Sequence, residues 1–315
     1  MAQPMESNPN DKRGRPGFWQ RFRRWLRGSK QEASADPDLA DTAPLSPDSL
    51  EHITVGKIRE SLEAGSAQSI GLERESNEDS VFVMFGSSYG EDALPEFGLF
   101  CVADGAGGLG HGELASSIAI RTLTGKLMED AVLAALDLEA DLDRPGVEEI
   151  ARNAFERAND AVREGANGGV TTLTAALVLN RKLTIAHVGD SRAYLVENGK
   201  PKLLTRDHSY SWRLVEIGQI TPEEAMDHPK KNQLWNAVGQ GSNLVIEVST
   251  YPQPQGAQLL LCSDGLWGEV SEEELHSVLT LHQDPNETCE ELVRAANAAG
   301  GPDNITALLV AFPGI

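Results

Sequence analysis

Short apolar runs separated by tight polar breaks dominate the chain from about residue 57 onward. Residues 68–72, 80–85, 99–103, 171–179, 182–188, 193–196, 201–204, 244–250, 258–262 and 305–312 have strand length and strand composition. Asn180-Arg181 and Asn198-Gly199 each join two such runs at two-residue spacing, which predicts two successive antiparallel hairpins. Helical spacing governs 113–127 and 147–162. In the second, Val147, Ile150, Ala151, Ala154, Ala158 and Ala161 trace one face. Two later helices carry start signals: Ser271 with Glu274 ahead of 275–279, and Asp284-Pro285 with Glu287 ahead of a run reaching about Ala299. Residues 130–143 are rich in Ala and Leu and fit no single period. Hairpins interspersed with helices predict an α+β domain with antiparallel sheets, not a doubly wound parallel sheet.

Residues 1–56 follow a different pattern. Residues 1–16 are polar, with Pro4, Pro9 and Pro16, and read as disordered. The stretch FWQRFRRWL then places Phe18, Trp19, Phe22, Trp25 and Leu26 on one helical face, with Arg21, Arg23, Arg24 and Arg27 around the rest. A short basic amphipathic helix over about 17–28 is predicted. Such a helix can lie on an anionic membrane surface, dock on a partner or fold back on its own domain. Residues 31–51 carry Glu32, Asp36, Asp38, Asp41, Asp48 and Glu51 with no Lys or Arg, and read as a flexible acidic linker. Residues 57–315 form the folded domain.

Charge and cysteine content narrow the class. The formal charge is −21, which disfavours a nucleic-acid binder and otherwise describes a well-solvated surface. Cys101, Cys262 and Cys289 show no metal-ligand spacing, and the first two sit inside apolar runs as small core residues. Unpaired cysteines fit a reducing, cytoplasmic compartment. No apolar run approaches the ~20 residues of a membrane span, and no signal-peptide core is present.

The candidate chemistry lies at strand ends. Residues 99–116, LFCVADGAGGLGHGELAS, run from an apolar strand through Asp104 into a glycine-dense turn and then a helix. A carboxylate ending a buried strand is costly without a partner. A divalent cation is one such partner, and a plain capping role in a strand–turn–helix corner is the other reading. Asp190, Asp264 and Asp303, and the pair Glu78-Asp79, occupy similar places beside their strands. Acids gathered at one sheet edge repel unless cations bind among them, and ligation without His or Cys selects Mg²⁺ or Mn²⁺ over Zn²⁺. Two such ions can drive in-line displacement at phosphorus. Arg74 offers a fork of donors for a phosphate, or else a surface ion pair.

These residues resemble the motifs of the PPM (PP2C-like) metal-dependent protein serine/threonine phosphatases, in their bacterial branch. Arg74-Glu75-Ser76-Asn77-Glu78-Asp79 is similar to the family's arginine-x-x-asparagine-glutamate-aspartate motif. Val102-Ala103-Asp104-Gly105 with Gly107-Gly108 resembles its metal-binding turn. Gly169-Val170-Thr171-Thr172 and Val188-Gly189-Asp190-Ser191-Arg192-Ala193-Tyr194 resemble its central motifs. Leu204-Thr205-Arg206-Asp207-His208-Ser209 resembles the entry to a mobile flap, here about 207–237. Cys262-Ser263-Asp264-Gly265-Leu266-Trp267 and Gly301-Pro302-Asp303-Asn304-Ile305-Thr306 resemble the two late aspartate motifs. The matches run in order from about Ser66 to Phe312.

The resemblance implies a four-layer αββα sandwich of two antiparallel sheets flanked by helices. It implies two Mn²⁺ or Mg²⁺ ions. Asp104 would bridge them, the Gly105 carbonyl would bind the second, Asp264 and Asp303 would complete the first, and Asp79 would serve the second with Glu78 as neighbour or alternate. Asp190 would hold a weaker third ion. Arg74 would grip the phosphate, and a hydroxide bridging the metals would attack phosphorus directly. The implied substrates are phosphoproteins made by a bacterial Ser/Thr kinase, in the cytoplasm or at the inner membrane face. Ala106 and Leu109 depart from the bacterial motif, and no histidine is assigned a catalytic role. In the 212–235 region, Trp212 and Trp235 are expected to be packing anchors. Two other readings are open: an inactive binding module on the same fold, and a two-metal nuclease, against which the missing basic track argues.

Overall fold

The computed structural model describes residues 61–87, 95–136, 144–282 and 284–314. The predicted basic helix at 17–28, the acidic linker at 31–51 and the domain start at 57 lie outside the described residues. Eleven strands are described: β1 (Glu63–Ser69), β2 (Asp79–Gly86), β3 (Phe97–Ala106), β4 (Val170–Thr171), β5 (Leu173–Leu179), β6 (Lys182–Val188), β7 (Arg192–Glu197), β8 (Lys200–Leu203), β9 (Glu247–Pro252), β10 (Gln258–Cys262) and β11 (Ile305–Ala311). They form two sheets with antiparallel pairing throughout, in the orders β1-β11-β10-β7-β8 and β2-β3-β5-β6-β9, with the short β4 pairing β3.

Strand alternation builds four layers. Phe100 and Val102 of β3, Leu259 and Leu261 of β10, and Leu308 and Val310 of β11 point between the sheets into one cluster. Their neighbours point outward. Leu99, Cys101 and Ala103 pack under helices α1 (His111–Leu127) and α2 (Val147–Gly165). Leu260, Cys262, Ile305, Ala307 and Leu309 face a second helical layer. The expected αββα sandwich is the observed fold. The second layer includes the helices Glu272–Leu281 and Pro285–Ala299.

The flap region 207–237 carries α3 (Tyr210–Glu216) and α4 (Pro222–Met226). Thr221 closes a full capping box on α4: its hydroxyl accepts from the Glu224 N–H, and the Glu224 carboxylate accepts from the Thr221 N–H. After β10 come α5 (Asp264–Trp267), α6 (Glu272–Leu281) and α7 (Pro285–Ala299). Ser271 caps α6 through the Glu274 N–H, and Asp284 caps α7 through the N–H groups of Asn286 and Glu287. Both hairpins form as the turn residues predict. Asn180, Arg181, Asn198 and Gly199 all have positive φ, as paired central positions of a primed turn require.

Three boundaries differ from the pattern. The strand expected at 68–72 is β1, Glu63–Ser69. Its sequence EAGSAQS has no large apolar residue, so only its pairing with β11 makes it a strand. The strand expected at 244–250 is β9, Glu247–Pro252. Leu244 and Ile246 pack against the helix-side core before the ladder begins, and Thr250–Pro252 pair with Lys182–Thr184. The ambiguous 130–143 stretch prolongs α1 as a π-helical turn, Met128–Val132, and three further helical residues, Leu133–Ala135. Residues 137–143 lie outside the described residues.

Cys101 and Cys262 are buried and unpaired, as expected of core residues, and so is Cys289. Among the described residues no helix is long and apolar enough to cross a membrane. Phe100 is fully buried between the sheets. Phe100→Ala is expected to destabilise the fold by about 3–5 kcal/mol, read as a lowered urea midpoint with an unchanged slope.

Candidate active site

The acids gather because antiparallel pairing brings particular strand ends to one edge. Asp79 opens β2 and lies directly opposite Asp104 near the end of β3. Asp190 follows the end of β6, which pairs with the start of β5. In the other sheet, Asp264 follows β10 and Asp303 precedes β11, and those two strand ends are joined by the Cys262–Ala307 pairing. Arg74 comes from the loop between β1 and β2. The two sheets therefore meet the same cleft from opposite sides, with a volume of about 580 Å³. Arg74, Glu78, Asp104, Asp190, Asp264 and Asp303 all line it. An adjoining recess of about 310 Å³ shares Arg74, Asp190, Asp264 and Asp303 and is walled by the flap residues Trp212 and Met226.

Each acid is held by groups beside it in sequence or across the sheet. Asp79 is buried, and its Oδ2 accepts from the hydroxyls of Thr306 at 2.6 Å and Ser263 at 2.9 Å. Its Oδ1 has no hydrogen-bond partner, and neither does the buried Oδ1 of Asp264. Thr172 fixes the backbone of Asp104, its Oγ1 accepting from the Asp104 N–H and its own N–H donating to the Asp104 carbonyl. Trp267 Nε1 donates to the Asp190 carbonyl at 3.0 Å. Asn304 holds the Arg74–Glu78 loop from below, donating to the carbonyls of Ile70 and Ser76 and accepting from the Glu78 N–H. Gly105 admits no side chain: a Cβ there would stand 2.1 Å from the Gly112 carbonyl oxygen.

The electrostatics are those of acids crowded without compensation. Burial, then repulsion from Asp79, Asp264, Asp190 and Asp303, lifts the Asp104 carboxyl well above the ordinary carboxylate range. Burial and Asp264 do the same to Asp190. Asp79 is raised to about 7 by burial, against the pull of its two hydroxyl donors. Asp264 is raised by burial and by Asp303, and Glu78 by burial despite Arg74. Among the described residues, no three His, Cys, Asp or Glu side chains close on one point as a preassembled metal cage. The acids ring an open cleft instead.

Five of the expected acids, Glu78, Asp104, Asp190, Asp264 and Asp303, are brought to the cleft wall, and the sixth, Asp79, lies behind it, against Ser263 and Thr306. Arg74 stands at the rim, half-exposed, in a 2.6 Å ion pair with Asp303. The two tryptophans expected to be packing anchors both pack on neighbouring side chains and both stay partly exposed. Trp235 is 37% exposed, and Trp212 is only partly buried, facing Arg192 with its Cζ 5.2 Å from the ring centroid. No described histidine lines the cleft. Sequence reasoning missed the holders Thr172, Ser263, Trp267, Asn304 and Thr306. Their signal was proximity, since most sit within three residues of an assigned acid.

Similar proteins bear on this arrangement. The sequence profile of the family described as Protein phosphatase 2C matches residues 87–309. The "Serine/threonine phosphatase stp" of Listeria welshimeri is 39% identical over 210 residues, 66% of this chain and 82% of that protein. The crystal structure of the Mycobacterium tuberculosis serine/threonine phosphatase PstP/Ppp superposes with a TM-score of 0.66 at 30% identity, covering 80% of this chain and 99% of that one. The catalytic domain of PstP in complex with two manganese ions gives a TM-score of 0.63 at 30% identity, covering 79% of this chain and 97% of the other. With the sandwich and its edge of acids, these matches establish that the chain belongs to the protein phosphatase 2C (PPM) family, in its bacterial branch.

Proposed function

We propose that this chain is a metal-dependent phosphatase of protein phosphoserine and phosphothreonine, opposing a serine/threonine kinase and using two Mn²⁺ or Mg²⁺ ions with a weaker third. The observation that carries the reading is the ring of carboxylates from both sheets, with a buried oxygen of Asp264 in its wall and one of Asp79 behind it both lacking any partner. Orphaned buried carboxylate oxygens, raised pKa values and an all-oxygen donor set fit a hard divalent cation. Asp104, Asp264, Asp303 and the Gly105 carbonyl would hold the two ions, Asp79 with Glu78 would complete the second, and Asp190 would serve the outer third. The similar PstP domain, whose complex holds two manganese ions, supports that assignment. Bound there, the ions supply Lewis acidity, activating water as the nucleophile and neutralising charge on the phosphoryl group.

The chain's own residues do the rest. Arg74 spends one Nη2 contact on Asp303, and its half-exposed guanidinium faces the cleft as a fork for phosphate oxygens. Ser263 and Thr306 hold one oxygen of Asp79 and so fix its carboxylate instead of leaving it to rotate. Thr172 fixes the strand that carries Asp104. The flap recess beside the acids offers room for the peptide around the phosphorylated residue. Arg74 and Lys231 are the cationic residues among the described lining, too few for a polyanion track, which supports a phosphoprotein over a nucleic acid.

The N-terminal residues enter this proposal from sequence alone. Residues 17–28 would form a basic, aromatic-faced anchor for anionic lipid, joined by the acidic linker to a domain such lipid repels. Each basic residue contributes about 1 kcal/mol near an anionic surface.

Chelation is expected to abolish turnover of a phosphothreonine peptide, and added Mn²⁺ or Mg²⁺ to restore it. Asp104→Asn is expected to lower the restored kcat by on the order of a thousandfold, a few kcal/mol of transition-state stabilisation. Full turnover after exhaustive metal removal would overturn the reading.

A second expectation concerns the metal-free protein. Asp79 sits at about 7 in the fold, against a model-peptide value of 3.8. Between those values the folded state binds more protons than the unfolded one, so stability falls as pH rises. Asp79→Asn removes the repulsion and keeps an acceptor for Ser263 and Thr306. Its stability gain over wild type is expected to be small near pH 4 and to grow to a few kcal/mol by about pH 7, read by chemical denaturation in chelator.

The full chain is expected to sediment with anionic vesicles weakly and in a salt-sensitive way, and a chain lacking residues 1–50 not to. Equal partitioning of the two would dismiss the lipid anchor. Faster peptide turnover on deletion would instead favour the basic helix resting on its own acidic domain.

A further inference from the structure

The flap is closed at a narrow neck. The Tyr210 N–H donates to the Gln233 carbonyl at 2.7 Å, Ser209 and Leu234 form an isolated antiparallel bridge, and the Trp235 N–H donates to the His208 carbonyl at 2.9 Å. Everything from Ser211 to Asn232 hangs beyond that neck. Asn232 and Leu234, on its returning side, line the acid cleft together with Asp104, Asp264 and Asp303. Where the neck is seated therefore decides where one wall of the cleft stands.

The seat is Gly189, one residue before Asp190. Its φ is +113°, and a Cβ there would lie 2.5 Å from Thr172 Cβ, so the turn into Asp190 is shaped for glycine. Two buried histidines hold its peptide groups. The His208 N–H donates to the Gly189 carbonyl at 2.7 Å, and His187 Nε2 donates to the same oxygen at 3.0 Å. The Gly189 N–H in turn donates to His208 Nδ1 at 3.1 Å. Asn236 Nδ2, from the returning side of the flap, donates to that same Nδ1 at 2.8 Å.

Two N–H donors on one ring nitrogen fix the tautomer: Nδ1 of His208 is unprotonated, and the proton is on Nε2. That proton has no hydrogen-bond partner, and the closest acid, Glu247 Oε1, is 3.6 Å away, beyond hydrogen-bond reach. The His208 ring is fully buried, packed between the tilted rings of His187 at 5.1 Å and Trp235 at 4.9 Å. A ring that costs an unpaired buried N–H is retained where its other nitrogen does something an apolar residue could not.

We infer that His208 is a positioning residue whose unprotonated Nδ1 latches the returning end of the flap, through Asn236, onto the Gly189–Asp190 turn, so that Asn232 and Leu234 stand against the acid cleft. It touches neither the phosphate nor the acids and acts through the flap. The inference rests on the phosphatase reading for its effect on substrate, while the seating of the flap stands independently of it.

The test uses full-length wild type, His208→Leu and His208→Asn. Leu keeps the bulk and loses the acceptor. Asn offers Oδ1 in place of Nδ1 and restores it. Limited trypsin digestion reads the flap at Arg213, Lys230 and Lys231, under conditions where circular dichroism finds all three proteins folded. His208→Leu loses both hydrogen bonds at Nδ1, and cleavage is expected to be about tenfold faster than in wild type, the worth of the one that ties Asn236 of the flap, with the wild-type rate returning in His208→Asn. In metal-loaded protein, KM for a phosphothreonine peptide is expected to rise about tenfold in His208→Leu while kcat on p-nitrophenyl phosphate stays within about twofold. Should His208→Leu not fold, Asn236→Ala removes the same hydrogen bond from the flap side, along with the two that Asn236 makes to the Val245 backbone, and unchanged cleavage there would equally overturn the latch. Unchanged cleavage in the folded acceptor-less variant, or His208→Asn behaving like His208→Leu, would overturn the latch. Wild type inert toward both phosphoesters would overturn the phosphatase reading instead, with the digestion pattern still deciding the latch.

Discussion

Carboxylates held at one edge of a sandwich repel one another through a medium that screens poorly. Asp79, Asp104, Asp190 and Asp264 are all pushed above their ordinary range, with burial the largest cause and neighbouring acids adding to it. A chain optimised only for stability would not keep such a group. Here two β-sheets and a shell of hydroxyls, amides and one indole are arranged to hold these acids in place. Ser263 and Thr306 take one oxygen of Asp79, Thr172 fixes the backbone of Asp104, and Trp267 fixes that of Asp190. The energy for this comes from the apolar layers behind the edge.

Those layers follow from the two-residue period of the strands. Phe100 and Val102 bury between the sheets while Leu99, Cys101 and Ala103 bury under α1 and α2. A strand apolar on both faces can carry a charge only where it leaves the sandwich, which is where Asp104 and Asp264 lie. The same edge carries the hairpin and helix starts whose tight turns bring backbone groups close, as at Gly105 against Gly112. Rigidity of the acids is thus a consequence of the core and not of contacts among the acids themselves.

The flap is built differently. Its helices are short, and much of its surface is exposed, including Met226 and Trp235. Its connection to the sandwich runs through the neck at Ser209 and Leu234, the Gly189 turn, and Arg192, which is paired with Asp207 at 2.7 Å and stacked on Trp267 at 3.6 Å. Trp267, under Arg192, holds the carbonyl of Asp190, while His208 ties the flap to the Gly189 peptide before it. The flap's contacts with the sandwich are concentrated at polar groups, unlike the apolar layers behind the acids.

The sequence by itself determined most of the strands, the long helices, both hairpin turns, the helix caps at Ser271 and Asp284, and the acids as a set, because these depend on local backbone preference and on period. Its motifs also pointed to the family. Tertiary structure decided the rest. β1 is a strand only because β11 pairs with it, since EAGSAQS buries too little to declare itself. Asp79 lies behind the cleft while its neighbour Glu78 lines it, because Ser263 and Thr306 of the other sheet cover the Asp79 carboxylate and only the packing of the two sheets brings them there. Arg74 meets Asp303 across 229 residues of chain, and His208 finds Asn236 and Gly189 together only once the flap has closed. Local pattern carries the propensity of each segment. Which polar groups end up sharing a buried site is set by the pairing of distant strands, whose geometry no single segment encodes.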